Sequence, residues 1–262
     1  AGATTLTVTT TAGNAVEIGN FDNTLENSGT PVGVSVNSID TTSSELTLDN
    51  MAEGGTVEFT DVTATENAGT IVNLDDASNP DDSLNVDVIT ETDGDAIKAG
   101  TVIAPGVETI NVSAEDAFVD DDEDGEDDNT ADHTLTVGGS DVETINVEGS
   151  SNLTLDFWSD SLETVDAGQM TGILTAGTSE DGDQTIQGGS GDDVLTSNGL
   201  NDTLRGGDGD DTLNAGRFTD LFGEGGENTF NMFRADSVAQ RSVIQDLGSG
   251  DTIELGSSKN DN

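Results

Sequence analysis

Apolar and polar residues alternate along most of the chain. Leu46-Thr47-Leu48, Val57-Glu58-Phe59, Leu84-Asn85-Val86-Asp87-Val88, Leu135-Thr136-Val137 and Leu153-Thr154-Leu155 all read with a period of two. That period belongs to a strand with one buried face, because successive strand side chains point to opposite sides. Clusters of Gly, Asn, Asp and Ser separate the runs and turn the chain. Helical periodicity is almost nowhere visible. The pattern predicts an all-β protein.

Two kinds of repeat lie over this alternation. VETINV occurs at 107–112 and again at 142–147, and LETVDA follows at 162–167. Their glutamates, Glu108, Glu143 and Glu163, are 35 and then 20 residues apart, too unequal for a strictly periodic solenoid. An irregular parallel β-spiral and a sandwich both fit. The second repeat is strict: GGSGDDVLT from 188, then SNGLNDTLR, GGDGDDTLN and AGRFTDLFG. Asp193, Asp202, Asp211 and Asp220 recur every nine residues, each two positions before an apolar residue: Leu195, Leu204, Leu213 and Phe222. Upstream, Gln184 and Ile186 hold the same two places, and downstream Asn228 and Phe230 hold them after a one-residue deletion.

Each nonapeptide divides into a six-residue Gly/Asp turn and a three-residue strand. Glycine takes positive φ cheaply, so the turn can point its carbonyls inward, and the aspartate adds a carboxylate. Such oxygens are hard donors suited to Ca²⁺. Two rows make one coil, so turns on the same side are 18 residues apart. The turns at 188–193 and 206–211 then frame the best site, through Gly188, Gly189, Gly191, Asp193, Gly206, Gly207, Gly209 and Asp211. A weaker site is expected between 197–202 and 215–220, through Asp202 and Asp220, because Leu200 and Phe218 replace glycines there.

Charge sharpens this picture. Six basic residues face 54 acidic ones, for a net charge of −48. Nucleic acid and anionic membrane surfaces are thereby poor partners, since binding them needs Lys and Arg. A chain this acidic stays open or takes up cations. The regular apolar ladders and only three prolines argue for order. Cysteine is absent, so metal rather than disulfides would stabilise a small core. No apolar run approaches the ~20 residues of a membrane-spanning helix.

The rows at 188–196 and 206–214 resemble the RTX nonapeptide GGxGxDxUx, with U apolar, at every defined position; the rows at 197 and 215 keep Asp and the apolar residue but lose glycines. The resemblance implies a parallel β-roll with calcium between its coils. It also implies type I secretion of a metal-free chain, folding outside in calcium, and an uncleaved export signal at or beyond Asn262. The upstream part, from SELTLDNMAEGGTVEFTDV at 44–62 through the VETINV strands, resembles the β-strand-repeat region of RTX surface-layer proteins and large adhesins.

Other candidates are few. Asp120-x-Asp122-x-Asp124-Gly125 reads like the start of an EF-hand-type calcium loop, but Ala131 stands where its glutamate belongs, so a solvated acidic loop fits as well. His133, the lone histidine, reads as a surface strand residue; without HExxH or a second imidazole there is no zinc protease site. No GxSxG elbow occurs, and aromatic platforms for sugars are nearly confined to Trp158. The Thr7–Thr11 run reads as an edge strand rather than a flat surface-binding face.

The expected organisation is a β-strand-repeat region over 1–176, a β-roll over 177–231 and capping strands over 232–262. The expected function is non-enzymatic: a secreted, calcium-dependent subunit of a bacterial surface layer, self-associating through calcium bridges, with cell-surface polysaccharide as a further partner. The alternatives are a fragment of an RTX adhesin and the export domain of a type I-secreted hydrolase.

Overall fold

The computed structural model describes residues 5–10, 16–18, 33–39, 45–51, 53–60, 69–74, 79–90, 96–116, 131–180, 183–233 and 241–256. Every regular element among them is a strand. Two compact units are formed, one of Ala1–Asn146 with Ser150–Ser161, the other of Val147–Gly149 with Leu162–Asn262.

The first unit contains β1 (Thr5–Thr10), β2 (Val16–Ile18), β3 (Gly33–Ile39), β4 (Glu45–Met51), β5 (Gly55–Thr60) and β6 (Gly69–Leu74). It continues through β7 (Ser83–Thr90), β8 (Lys98–Ile103), β9 (Thr109–Asp116), β10 (Asp132–Gly138), the start of β11 (Thr144–Gly149) and β12 (Asn152–Trp158). Odd-numbered strands form one sheet and even-numbered strands the other. The pairs β3–β5, β5–β7, β7–β9, β8–β10 and β10–β12 are all parallel. The chain therefore passes from sheet to sheet and back in successive coils. This is the irregular parallel spiral; a sandwich of hairpins and Greek keys would pair its strands antiparallel.

Stacking explains the sequence repeats. In β7, Leu84, Val86 and Val88 are fully buried, and they sit beside Ile110, Val112 and Ala114 of β9. Val57 and Phe59 of β5 lie on their other side. The two VETINV copies are neighbouring rungs: Glu143 N–H donates to the Glu108 carbonyl at 2.8 Å. Their asparagines form an amide ladder on the outer face, Asn146 to Asn111 at 2.8 Å and Asn111 to Asn85 at 3.0 Å. The register step is 29 residues between Val57 and Val86 but 26 between Val86 and Val112. Unequal repeat spacing thus reflects unequal connections between equivalent strands.

His133 departs from the surface placement expected of it. It has the same parity as Leu135 and Val137 and is fully buried. Its Nδ1 accepts the Ile97 N–H at 3.1 Å. Burial lowers its pKa, against the opposing pull of the Glu115 main chain and the Asp116 and Asp132 carboxylates. A neutral imidazole can be buried when a main-chain donor meets its free nitrogen.

The second unit contains β13 (Thr164–Met170), β14 (Leu174–Gly177), β15 (Thr185–Gln187), β16 (Val194–Thr196) and β17 (Thr203–Gly207). It ends with β18 (Thr212–Asn214), β19 (Asp220–Glu224), β20 (Thr229–Phe233), β21 (Val243–Ile244) and β22 (Thr252–Gly256). The same two-sheet parallel winding holds, now with an 18-residue step, as in Thr185 beside Thr203 and Val194 beside Thr212. Each short strand sends one apolar side chain inward: Ile186, Leu195, Leu204, Leu213, Leu221 and Phe230, all fully buried. One leucine contributes about 1.5–3 kcal/mol on burial. A core with one such residue per row is thin.

The fourth nonapeptide is shifted by one residue from the predicted register. Leu204 pairs with Leu221, not Phe222, and Thr203 pairs with Asp220. Thr196 still pairs with Asn214 at the 18-residue step, but Leu200 already bridges Arg217. The deletion therefore falls within the turn after Asn214, one row earlier than the spacing of Asn228 suggested. Leu221 goes inward in place of Phe222, and Phe222 lies half-buried outside with the Arg205 guanidinium 4.0 Å above its ring. Segment 243–256 adds a further coil, since β21 and β22 continue both sheets in parallel.

Candidate metal centre

On one side of the second unit the turns 188–193, 206–211 and 223–228 stack. At the end of each turn an inward side chain accepts a main-chain N–H from the coil before. Leu174 N–H donates to Asp193 Oδ1 at 2.6 Å, Asp193 N–H to Asp211 Oδ1 at 2.8 Å, and Asp211 N–H to Asn228 Oδ1 at 2.9 Å. Asn228 N–H then donates to Asp251 Oδ1 at 2.8 Å. The strict D-x-U spacing has a local cause here: the carboxylate closes the turn of the previous coil while the apolar residue two positions on enters the core.

The second oxygens of these side chains differ in fate. Asp193 Oδ2 accepts the Gly189 N–H at 2.7 Å. Asn228 uses an amide group and donates to the Gly225 carbonyl at 2.9 Å. Asp211 Oδ2 is buried without any partner. Burial raises the Asp211 pKa to about 8; the Asp193 N–H opposes the rise, while the Asp193, Asp192 and Asp210 carboxylates add to it. Burial likewise raises Asp193 to about 6, against the Leu174 and Gly189 N–H groups.

Glycine makes room for this arrangement. A Cβ on Gly206 would collide with Asp211 Oδ2 and crowd the Gly223 carbonyl, and one on Gly188 would collide with Asp193 Oδ2 and the Gly206 carbonyl. The orphaned carboxylate oxygen therefore lies in a cradle lined by main-chain oxygen. Among the described residues no three Asp, Glu or His side chains converge as a metal cluster. Any cation here takes part of its coordination from carbonyls, and a hard ion accepts such donors readily. The donor set fits calcium.

The opposite turns are built differently. Asp202 is buried, yet both of its oxygens are bonded: Gln184 N–H donates to Oδ1 at 3.1 Å, and Thr178 Oγ1 and Ser197 Oγ donate to Oδ2 at 2.7 and 2.6 Å. Thr219 takes the next place, its Oγ1 donating to Ser197 Oγ at 3.0 Å. Asp220, expected to be a ligand beside Asp202, lies one residue off and accepts from Gln245 Nε2 at 2.8 Å on the exposed side. The one-residue deletion is the reason. Leu200 and Phe218 are both exposed, and Asn201 and Phe218 adopt left-handed backbone at φ 59° and 58°.

Residues 178–213 and 187–222 match the family model of the RTX calcium-binding nonapeptide repeat (4 copies). These turns are RTX calcium-binding repeats. No curated protein matches the chain. Calcium is therefore the ion of the RTX block, in agreement with its donor chemistry.

Beyond Asn228, which spacing already placed in the row, the structure brings to the RTX block two residues that spacing did not reveal, Asp251 and Asp246. Asn228 continues the carboxylate row, and Asp251 extends it beyond a longer connection. Asp246 stands at the next turn and accepts the Gly223 and Glu224 N–H groups at 2.8 and 3.0 Å. Gly248-x-Gly250-Asp251-x-Ile253 was the available signal, a partial nonapeptide out of the nine-residue phase. Asp120, Asp122 and Asp124 lie outside the described residues.

Proposed function

We propose that the chain is an extracellular structural protein, a subunit of a calcium-dependent bacterial surface layer. Asp211 is the observation that carries the reading. A buried carboxylate with a bare oxygen, in a chain of net charge −48, makes the fold depend on a cation. Calcium is held by the carboxylates of Asp193 and Asp211 and by carbonyls of the turns containing Gly188, Gly189, Gly191, Gly206, Gly207 and Gly209. When bound, the ion supplies the positive charge that lets these carboxylates stay ionised.

Without calcium, repulsion weakens the fold of so acidic a chain and populates open states, which suit type I secretion. Outside the cell calcium both folds it and bridges neighbouring acidic subunits, because two surfaces of this charge approach only with counterions between them.

Electron microscopy of the purified chain in millimolar calcium, and again after chelation, tests the proposal. Ordered sheets or tubes that dissolve on chelation are expected. Dispersed folded monomers in calcium would reject self-assembly and favour an adhesin fragment or the export domain of a secreted hydrolase.

A further inference from the structure

Four aspartates are buried among the described residues: Asp82, Asp193, Asp202 and Asp211. Asp193 and Asp202 have both carboxylate oxygens hydrogen-bonded, and Asp211 has one. Asp82 has neither, at 0% exposure, and it lies in the first unit, well outside the RTX block. A bare buried carboxylate is among the most costly groups a fold can carry.

The surroundings of Asp82 resemble those of a nonapeptide turn. It stands two residues before the buried Leu84, as Asp211 stands before Leu213. On the next rung, the N–H groups of Glu108 and Thr109 both donate to the Asp82 carbonyl, at 3.2 and 3.0 Å. The Glu108 side chain reaches back to this rung, its Oε2 accepting the Asp82 N–H at 2.9 Å. Two carboxylates are thereby neighbours across one inter-strand step of about 4.8 Å. Among the described residues neither pairs with a Lys or Arg, and exposed Asp81 adds a further negative charge beside them.

We propose that Asp82 and Glu108 hold a divalent cation of calcium's class in the first unit, a site separate from the RTX block. The donors are carboxylate oxygens without nitrogen or sulfur, which selects a hard cation over zinc or copper. Water and main-chain carbonyls complete the coordination. The site ties two successive coils together at the point where a glycine-rich turn is missing.

Counting bound ions in the 262-residue chain tests this. The parent, Asp82→Asn, Glu108→Gln and the double variant would be equilibrated with calcium by dialysis, the metal measured by atomic emission and the fold checked by far-UV circular dichroism. One ion fewer per chain is expected in each single variant, and no further loss in the double variant. Folded Asp82→Asn and Glu108→Gln chains with the parental ion count would overturn the proposal. Should Asp82→Asn fail to fold, Glu108→Gln decides alone, because its side chain is only half-buried and its neighbours tolerate a neutral amide.

Discussion

Replacing Asp211 with asparagine should push stability in opposite directions with and without calcium. Asn228, one coil further along, shows how the amide is accommodated: its oxygen accepts the Asp211 N–H and its nitrogen donates to the Gly225 carbonyl. In Asp211→Asn the amide oxygen keeps the Asp193 N–H, and the NH₂ group replaces the bare Oδ2 beside the Gly223 carbonyl. The size of the effect follows from proton linkage. The carboxyl rises from 3.8 to about 8 in the folded chain, so at pH 7 the unfolded chain has released a proton that the folded one retains. Between 3.8 and 7 this costs the metal-free fold on the order of 4 kcal/mol, a penalty that asparagine escapes. Metal-free Asp211→Asn should therefore be the more stable protein, by on the order of 2–4 kcal/mol at pH 7. Its gain on adding calcium should be smaller than the parent's, since one anionic donor is gone. Urea unfolding followed by circular dichroism, in chelator and in millimolar calcium, reads both quantities. A variant less stable than the parent in chelator, or one with an undiminished calcium response, would refute the reasoning.

Three further outcomes follow from the same geometry. Asp193 and Asp211 have raised pKa values, so metal-free stability is fully present below about 3.8 and declines as pH rises through about 6 and about 8, while calcium affinity rises over the same window; thermal melts in chelator and calcium titrations across pH 4–9 check the two signs. Gly206→Ala places a Cβ against Asp211 Oδ2 and should lower calcium affinity by tenfold or more with a stability loss of about 1–3 kcal/mol, whereas Gly69→Ala, with nothing within 4 Å of its Cβ, should do neither. Asp220→Asn should leave the calcium count unchanged in a dialysis measurement, because the shifted register places Asp220 outside the inward row.

How far the chain can be read without its fold differs between its two kinds of repeat. The alternation of Leu84, Val86 and Val88 is enough to specify strands, because strand geometry is local and its period is two. The nonapeptide spacing of Asp193, Asp202 and Asp211 likewise specifies inward carboxylates, since nine residues carry the chain to the opposite side and 18 return it to the same side one strand spacing further on. The VETINV copies are equivalent rungs, but their unequal spacing concealed this because insertions between coils leave strand pairing intact.

What composition and spacing determined by themselves was the all-β class, the nonapeptide block and its demand for a hard cation. These depend on short-range patterns: side-chain parity, turn glycines and a surplus of negative charge. Only the tertiary structure decided which oxygens remain without partners. Asp193, Asp202 and Asp211 are alike in sequence, yet hydroxyls from Thr178 and Ser197 satisfy Asp202, while Asp211 keeps a bare oxygen. The same holds for the single deletion that turned Leu221 inward, for the buried His133, and for Asp82 beside Glu108. Each depends on what the neighbouring coil presents across one strand spacing, and residues that meet there are 17 to 36 positions apart in the chain.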